Sequence, residues 1–376
     1  MKIAFIGGRT FNQPDGIANF MYNLASHLVE LGDEPIVYCE SDKFAEEYVN
    51  GFKVVHLKSY KSAAVTKILL GWKATRHALH KEKGVEVFHY NGWAPSLISC
   101  RLPYLYGRIS LMQGHGLEWK RTKYSSRQQR LMRFMEKLTA HTNKNLLMCS
   151  QEQTDFFKSE YGKICKTITG GVEMPGEAME SNILDRFSVQ KGKYILFMGR
   201  LVQDKNPDYL IKGFIKSNYK EYGLKLVLAG SNDGDPTYVS YLKSLGNEDV
   251  VFTGAVTGAD KDTLFRYCYA YSLPSTLEGL PISLLEAMSY GKICIVSDIP
   301  ANHEALGESG VWVRYENVDD ITKQINKLCK DYKKYEVQGN YNKNRAKEKF
   351  SWATIAKEYH AHLENLLLKR KNYDEK

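Results

Sequence analysis

The stretch EGLPISLLE, residues 278–286, places two glutamates eight positions apart around the start of a predicted helix. Proline lacks an N–H group and can occupy a first helical turn, so we predict a helix from about Pro281 to Tyr290. Glu278 then lies in the loop before the helix, and Glu286 lies on its second turn. The unpaired amides of the helix start, with the positive end of the dipole behind them, favour an anion such as a diphosphate.

The order of chemical groups in this stretch matches a sugar nucleotide, because carboxylates accept hydrogen bonds from sugar and ribose hydroxyls on either side of a diphosphate. The stretch resembles the E-x7-E motif of the retaining glycosyltransferases of family 4, which have the GT-B fold. The flanking segments, residues 269–275 and 287–297, follow the family's order of strand, loop, helix and strand. The resemblance implies that Glu278 holds sugar hydroxyls and Glu286 holds ribose hydroxyls. It also assigns four intervening residues to substrate binding: Gly279, Leu280, Pro281 and Ile282.

Two cations follow a predicted buried strand in FMGRLVQDKNP, residues 197–207. Strand ends in open α/β sheets point into the ligand crevice. The planar fork of Arg200 can bind two phosphate oxygens, and Lys205 can add a point charge as a leaving diphosphate becomes more negative. The segment is similar to the G-R-x4-K element of the same family, so both residues are predicted to be catalytic.

Predicted strands and helices alternate along the chain as in doubly wound α/β domains. The first series of strands covers residues 3–6, 34–38, 53–56, 87–89, 110–113 and 145–149. The second covers residues 194–198, 225–228, 250–253, 270–273, 293–296 and 310–313. The glycines and proline of residues 170–176 indicate a linker between the two series.

The fold class expected is therefore α/β, of the GT-B type, with two Rossmann-like doubly wound domains facing across a cleft. The predicted domains are residues 1–180 on the acceptor side and residues 181–352 on the nucleotide-sugar side. The family resemblance of FSW, residues 350–352, implies that a last helix, about residues 353–370, crosses back to the N-terminal domain.

The N-terminal half contributes candidate acceptor residues by the same resemblance. Gly16, in the loop after the first strand, matches a glycine that lets the backbone approach the donor phosphate or the acceptor. His115 follows a predicted strand and matches a family histidine that faces the donor sugar and acceptor, so it is a further catalytic candidate. The segment 115–124 resembles a rhamnosyltransferase subgroup of bacterial surface-polysaccharide enzymes, which makes Glu118 and Trp119 candidate acceptor contacts.

Composition is consistent with a two-domain intracellular enzyme. The chain has 376 residues, of which 43% are hydrophobic, enough for two cores. Its seven cysteines are scattered singly, which favours a reducing compartment. The first residues read as a buried strand instead of a signal peptide, and no stretch of about 18 apolar residues occurs, so we expect a cytoplasmic protein.

The net charge of +9 is concentrated in two segments of the first half. One, within residues 58–83, mixes lysines and an arginine with apolar residues, and the other runs from Lys120 to Lys137. Basic helices with an apolar side suit anionic lipid headgroups or lipid-linked substrates, although ordinary solvated helix faces remain the alternative. No nucleic-acid motif accompanies the charge, so an anionic membrane surface on the inner face of the cell membrane is the favoured macroscopic partner.

The function predicted is retaining transfer of a sugar from a nucleotide-diphosphate sugar to a saccharide or lipid-linked saccharide in surface-polysaccharide synthesis. No metal or other cofactor is expected, since two cations and a helix start can stabilise the leaving diphosphate. Two alternatives remain open: a GT-B sugar-nucleotide epimerase or hydrolase, and a non-catalytic partner subunit of a transferase. Among donors, the subgroup resemblance ranks dTDP-rhamnose first, UDP-sugars next and GDP-mannose third, with Trp119 as a candidate wall for the rhamnose methyl group.

Overall fold

The computed structural model describes residues 1–9, 16–60, 63–117, 119, 125–231 and 235–374. The chain forms two compact units. The first comprises Met1–Gly171 and the chain from Trp352 onward, and the second comprises Val172–Ser351.

The first unit is built on a sheet with the strand order β3-β4-β2-β1-β5-β6-β7-β8. Every neighbouring pair is parallel except β3 with β4. The strands are β1 Lys2–Gly8, β2 Glu34–Ser41, β3 Ala45–Val49, β4 Phe52–Lys58, β5 Val87–Asn91, β6 Ile109–Gly114, β7 Asn145–Met148 and β8 Lys166–Thr167. The helices between them are α1 Gly16–Glu30, α2 Ala63–His80, α3 Trp93–Ser96, α4 Leu102–Leu105, α5 Ser126–Thr142 and α6 Gln151–Tyr161.

Helices cover both faces of this sheet because alternate residues of a strand point to opposite sides. Ile3 and Phe5 of β1 belong to a core that also contains residues of α1. Ala4 and Ile6 belong to a second core, to which α2, α5 and α6 contribute. A sheet buried on both faces explains why the first strand is a continuous apolar run.

The second unit has a six-stranded parallel sheet with the order β11-β10-β9-β12-β13-β14. Its strands are β9 Tyr194–Met198, β10 Lys225–Ala229, β11 Val250–Gly254, β12 Ala270–Leu273, β13 Cys294–Ser297 and β14 Val311–Val313. Its helices are α7 Ile183–Arg186, α8 Pro207–Lys216, α9 Pro236–Leu245, α10 Gly258–Tyr267, α11 Ile282–Ser289, α12 Pro300–Leu306, α13 Val318–Lys330 and α14 Tyr332–Arg345. Short 3₁₀ turns occupy Gln203–Lys205 and Tyr219–Tyr222, and a π turn occupies Ala346–Phe350.

The last helix, α15 Trp352–Asp374, belongs to the first unit. Trp352 packs edge-on against Phe20 of α1 at a centroid distance of 5.7 Å. The hydroxyl of Tyr359 lies 2.7 Å from Nδ1 of the fully buried His89 on β5. The long apolar face of α15 is thereby buried beneath α1 and the sheet.

The division between the units precedes the predicted boundary at 180/181, because residues 172–180 are bonded to the second unit. The amide of Val172 donates to the carbonyl of Phe350, and Val172 belongs to the core of the second unit. The amide of Met179 donates to Asp262. Local composition indicates the linker, but these long-range bonds decide to which unit it belongs.

Strands β3 and β8 are absent from the sequence prediction. Strand β3 is an edge strand with exposed Glu46 and Glu47, and it pairs only with β4. Strand β8 is two residues long. Neither has the apolar run that marks a buried strand, so both depend on pairing with a sheet that already exists. Within the described residues, no helix is both long and apolar enough to cross a membrane.

Candidate active site

The site of the second unit lies where its strand order reverses, between β9 and β12. In an open parallel sheet the connections after two such strands leave toward opposite faces, which opens a crevice at their carboxyl ends. The loop after β9 contains Arg200 and Lys205, and the loop after β12 contains Glu278. The sheet therefore brings together two predicted elements that are more than seventy residues apart in the sequence.

Lys205 and Glu278 form an ion pair in this crevice. Nζ of Lys205 lies 2.7 Å from Oε1 of Glu278, and the two side chains are only 17% and 13% exposed. The hydroxyl of buried Ser275 donates to the same carboxylate oxygen at 2.7 Å. Ser275 is a site residue that the sequence prediction missed, although its place directly after a buried strand could have indicated it.

Hydrogen bonds tie the two loops together. The side-chain amide of Asn206 donates to the carbonyl of Pro274 at 2.9 Å, and the amide of Thr276 donates to the carbonyl of Asp204 at 2.9 Å. Asn206 is buried and has a φ of 50°, a left-handed conformation that asparagine tolerates better than most residues. Because the backbone is held on both sides of the ion pair, the positions of Lys205 and Glu278 are preorganised.

Arg200 differs from Lys205 in being exposed and in having no ion-pair partner among the described residues. It follows Gly199, whose carbonyl oxygen would lie 2.0 Å from a Cβ atom placed on Gly230 after β10. A side chain at Gly230 would therefore displace the start of the Arg200 loop. An unpaired guanidinium at the end of a central strand is available to an incoming anion.

Helix α11 begins one residue later than predicted, at Ile282, with Pro281 as its N-cap. Pro281 has φ −77° and ψ 103°, and this extended ψ lies outside the helical region. Among the described residues no side chain caps the helix, so the amides of Ile282 and Ser283 donate to no capping group. Gly279 and Leu280 are half-buried in the loop just before this start. An uncapped helix start beside Lys205 and Glu278 is a suitable anion site.

Tyr271 supports the helix from below. Its hydroxyl lies 2.8 Å from Oγ of Ser283, and burial raises the pKa of Tyr271 well above its usual value, with the nearby Glu278 and Glu286 charges adding to the rise. The phenol therefore stays protonated and fixes Ser283 through a neutral hydrogen bond. The first turn of α11 is therefore held from the core side through Ser283.

Glu286 on α11 is paired with Lys261 of α10. Nζ of Lys261 lies 2.8 Å from Oε1 of Glu286, and both side chains are partly exposed. Lys261 was not predicted, because nothing near it in the sequence marks it as a functional residue. Both motif glutamates are thus paired with lysines in this structure, and a hydroxyl-bearing ligand would share or replace those contacts.

In the first unit, His115 lies directly after β6 and next to Asn91, the last residue of β5. Its Nε2 lies 2.9 Å from Oδ1 of Asn91, and its ring meets Phe20 edge-on at 5.0 Å. An amide oxygen only accepts, so Nε2 of His115 donates the proton and Nδ1 is the acceptor in the neutral ring. Asn91 is fully buried, and the sequence prediction did not include it.

The remaining predicted residues of the first unit are only partly described. Gly16 is the exposed first residue of α1, and a Cβ atom there would have open space around it. Glu118 lies outside the described residues. Trp119 is half-buried; its Nε1 donates to Glu136 at 3.2 Å, and its ring lies 5.7 Å from that of Phe156.

Two family models match the chain, one over each series of strands. The model described as Glycosyltransferase Family 4 covers residues 14–174. The model described as Glycosyl transferases group 1 covers residues 181–345, which include the Arg200, Lys205, Glu278 and Glu286 positions. The chain belongs to glycosyltransferase family 4. It is a hexosyltransferase-type enzyme.

Full-length relatives of this glycosyltransferase occur in archaea and bacteria. An uncharacterized glycosyltransferase of Methanocaldococcus jannaschii is 28% identical over 393 aligned positions, which cover 95% of this chain and 96% of that protein. The N,N'-diacetylbacillosaminyl-diphospho-undecaprenol alpha-1,3-N-acetylgalactosaminyltransferase of Campylobacter jejuni is 26% identical over 344 positions, covering 85% of this chain and 82% of the relative.

Solved structures confirm the GT-B fold of this glycosyltransferase. Sucrose-phosphate synthase from Thermosynechococcus elongatus matches with a TM-score of 0.81 at 14% identity, covering 98% of this chain and all of that one. Anabaena HepE in complex with UDP and glucose matches with a TM-score of 0.77 at 17% identity, covering 97% of this chain and all of that one. The predicted fold class is confirmed over nearly the whole chain.

Proposed function

We propose that this glycosyltransferase binds a nucleotide-diphosphate sugar at the β9–β12 crevice and transfers the sugar, with retention of configuration, to a saccharide or lipid-linked saccharide. The observation that supports this most directly is the Lys205–Glu278 pair at 2.7 Å beside the uncapped start of α11. A diphosphate and a sugar hydroxyl are the two chemical groups that this cation and this carboxylate would bind.

The diphosphate would lie between Arg200, Lys205 and the first amides of α11. As the bond from the anomeric carbon to the phosphate oxygen breaks, negative charge grows on the diphosphate, and preorganised cations stabilise it more than they stabilise the bound donor. The acceptor oxygen bonds to the anomeric carbon on the same face, and its proton passes to the departing phosphate. Glu278 would orient the sugar, and the carboxylate of Glu286 would accept hydrogen bonds from the ribose hydroxyls in addition to, or in place of, its bond from Lys261.

The first unit would supply the acceptor side through Gly16 and His115, with Glu118 and Trp119 as further contacts. Asn91 holds the imidazole of His115 in one tautomer through the 2.9 Å contact. Nδ1 of His115 is then an acceptor for a substrate hydroxyl. The epimerase, hydrolase and non-catalytic alternatives are disfavoured by the family assignment, since the Methanocaldococcus and Campylobacter relatives are both named as glycosyltransferases.

The sequence resemblance ranks dTDP-rhamnose first among donors, but we place a UDP-sugar ahead of it. Trp119, the candidate wall for a rhamnose methyl group, already contacts Glu136, Phe156 and Arg133. The Campylobacter relative is named for N-acetylgalactosamine transfer to a diphospho-undecaprenol saccharide, and the Anabaena structure holds UDP. A UDP-linked hexose or N-acetylhexosamine and a polyprenol-linked acceptor follow these two precedents.

Competition between free nucleotides tests the donor assignment. We expect UDP to raise the thermal unfolding temperature of the protein at lower concentration than dTDP or GDP, because at equal concentration the ligand that binds more tightly stabilises the folded state more. We also expect UDP release from a UDP-sugar, measured with a panel of nucleotide sugars. Preference for dTDP, with dTDP-rhamnose turned over and UDP-sugars left intact, would restore the rhamnose hypothesis and reject ours.

Removal of divalent metal is expected to leave turnover intact. The charge at the proposed diphosphate site comes from Arg200, Lys205 and helix amides, so no divalent ion is required there. Initial rates of nucleotide release should agree before and after treatment with excess chelator followed by desalting. Activity that disappears with chelator and returns with Mn²⁺ would show that a metal supplies the charge instead.

A further inference from the structure

Helix α5, Ser126–Thr142, presents an apolar stripe to solvent. Leu131, Phe134 and Leu138 are 61%, 62% and 43% exposed, and their spacing of three and four residues aligns them on one side of the helix. The opposite side is anchored in the unit by buried Glu136, Thr139 and Ala140. Three large exposed side chains in one row exceed the scattered apolar residues expected on a monomer surface.

Cations flank this stripe. Arg127, Arg130, Arg133 and Lys137 are all exposed and lie on the same outward half of α5. Arg130, Arg133 and Lys137 line a cavity of about 260 Å³ together with Phe134, Glu160 and Tyr161. Glu160 is the one acidic residue in that lining, and it pairs with Arg133 at 2.8 Å. The lining therefore keeps an excess of positive charge beside an aromatic side chain.

Contacts with neighbouring residues of the first unit hold α5 in place. The hydroxyl of Tyr161 donates to the buried carboxylate of Glu136 at 2.9 Å, and the guanidinium of Arg133 lies 5.1 Å from the ring centroid of Trp119. The N-terminal end of α5 has a capping box, in which Ser125 and Gln128 bond each other's backbone amides. The helix is thus a supported element of the fold, with its outward half left for another partner.

We propose that this outward half of α5 docks on an anionic lipid bilayer. Leu131, Phe134 and Leu138 would enter the boundary between headgroups and acyl chains, while Arg127, Arg130 and Lys137 would contact lipid phosphates. Charge complementarity selects this occupant, because a row of cations beside an apolar stripe matches a surface that is negative outside and apolar beneath. Helix α2 shares the α5 face of the sheet and exposes Trp72 and Val65 beside further basic residues.

Vesicle binding of the full-length protein, measured without nucleotide, tests the proposal independently of the donor assignment. We expect co-sedimentation with vesicles of phosphatidylglycerol and phosphatidylcholine but not with pure phosphatidylcholine, and release at high salt, which shortens the Debye length. Arg127→Gln, Arg130→Gln and Lys137→Gln combined should weaken binding about 100-fold, because each basic residue near an anionic surface contributes about fivefold. Phe134→Gln should weaken it about tenfold or more.

Matched variants in the second unit control for net charge and apolar area. The triple variant Lys323→Gln, Lys327→Gln and Lys330→Gln removes the same charge from exposed positions of α13, and Val337→Gln removes an exposed apolar side chain from α14. Both controls should bind vesicles as the unaltered protein does. If the α13 triple variant lost as much vesicle binding as the α5 triple variant, net charge alone would explain the loss and the proposal would be wrong. Absence of vesicle binding by the unaltered protein would also reject the proposal. A concentration-dependent dimer in light scattering that Phe134→Gln abolishes, with vesicle binding unchanged, would assign the stripe to a second copy of the chain.

Discussion

Alanine at Lys205 or at Arg200 is expected to lower kcat by about two orders of magnitude or more for each residue. Both cations would stabilise charge that grows on the leaving diphosphate, so their loss should affect the transition state more than the bound donor. The effect should therefore be larger on kcat than on KM. Nucleotide release from the preferred donor, measured under initial-rate conditions, provides the readout.

The two variants should differ in stability although they resemble each other in rate. Arg200 is exposed and has no ion-pair partner among the described residues, so Arg200→Ala should leave the unfolding temperature unchanged. Lys205→Ala strands the carboxylate of Glu278, which is 13% exposed, at a cost of about 1–2 kcal/mol. Adding Glu278→Ala should recover most of that loss, as a double-mutant cycle would show. Full turnover in the double variant Arg200→Ala, Lys205→Ala would reject the diphosphate assignment.

Glu278→Gln is expected to lower kcat/KM by about 100-fold while free UDP binds at least as tightly as before. The amide keeps the shape of the carboxylate but loses the charge that strengthens its hydrogen bonds to sugar hydroxyls. It also frees Lys205, whose Nζ lies 2.7 Å from the carboxylate oxygen, to contact the diphosphate. Turnover and the affinity for free UDP therefore change independently in this variant.

Glu286→Gln is the matched comparison, because it removes the other motif carboxylate from the same loop and helix. If Glu286 binds the ribose, free UDP should bind about tenfold more weakly or worse. Isothermal titration of UDP into both variants separates the two roles. Weaker UDP binding in Glu278→Gln together with unchanged binding in Glu286→Gln would exchange the assignments of the two glutamates.

The strands that hold the site were predictable because both sheets are buried on two faces. Residues 194–198 are a continuous apolar run, and residues 270–273 are apolar except for the buried Ser272; the structure places strands at the same positions. Polar residues that follow such runs fall at strand ends. Resemblance to the motifs of the family then selected four of them as site residues: Arg200, Lys205, Glu278 and His115. The start of helix α11 was predicted to within one residue, because proline restricts its own φ and lacks the N–H that a first helical turn does not need.

Two of the three partners of those residues were beyond prediction because their contacts join segments that are far apart in the sequence. Ser275, Lys261 and Asn91 lie 3, 25 and 24 positions from the residues they contact, and only Ser275 is close enough for its spacing to be informative. Lys261 of α10 contacts Glu286 because α10 and α11 lie side by side, and the residue pattern of neither helix indicates which helix is its neighbour. The same limit explains why the predicted boundary at 180/181 differs from the division between the units after Gly171.

By itself, the sequence determined that this protein has two doubly wound α/β units and that one glutamate motif and one cationic pair follow buried strands. These features depend on local properties: apolar runs, the missing N–H of proline and the charges at strand ends. Only the tertiary structure decided that Lys205 is paired with Glu278, that Arg200 has no ion-pair partner among the described residues, and that Glu286 is paired with Lys261. Pairing depends on distances between residues far apart in the chain, and those distances exist only after the sheet has ordered its strands.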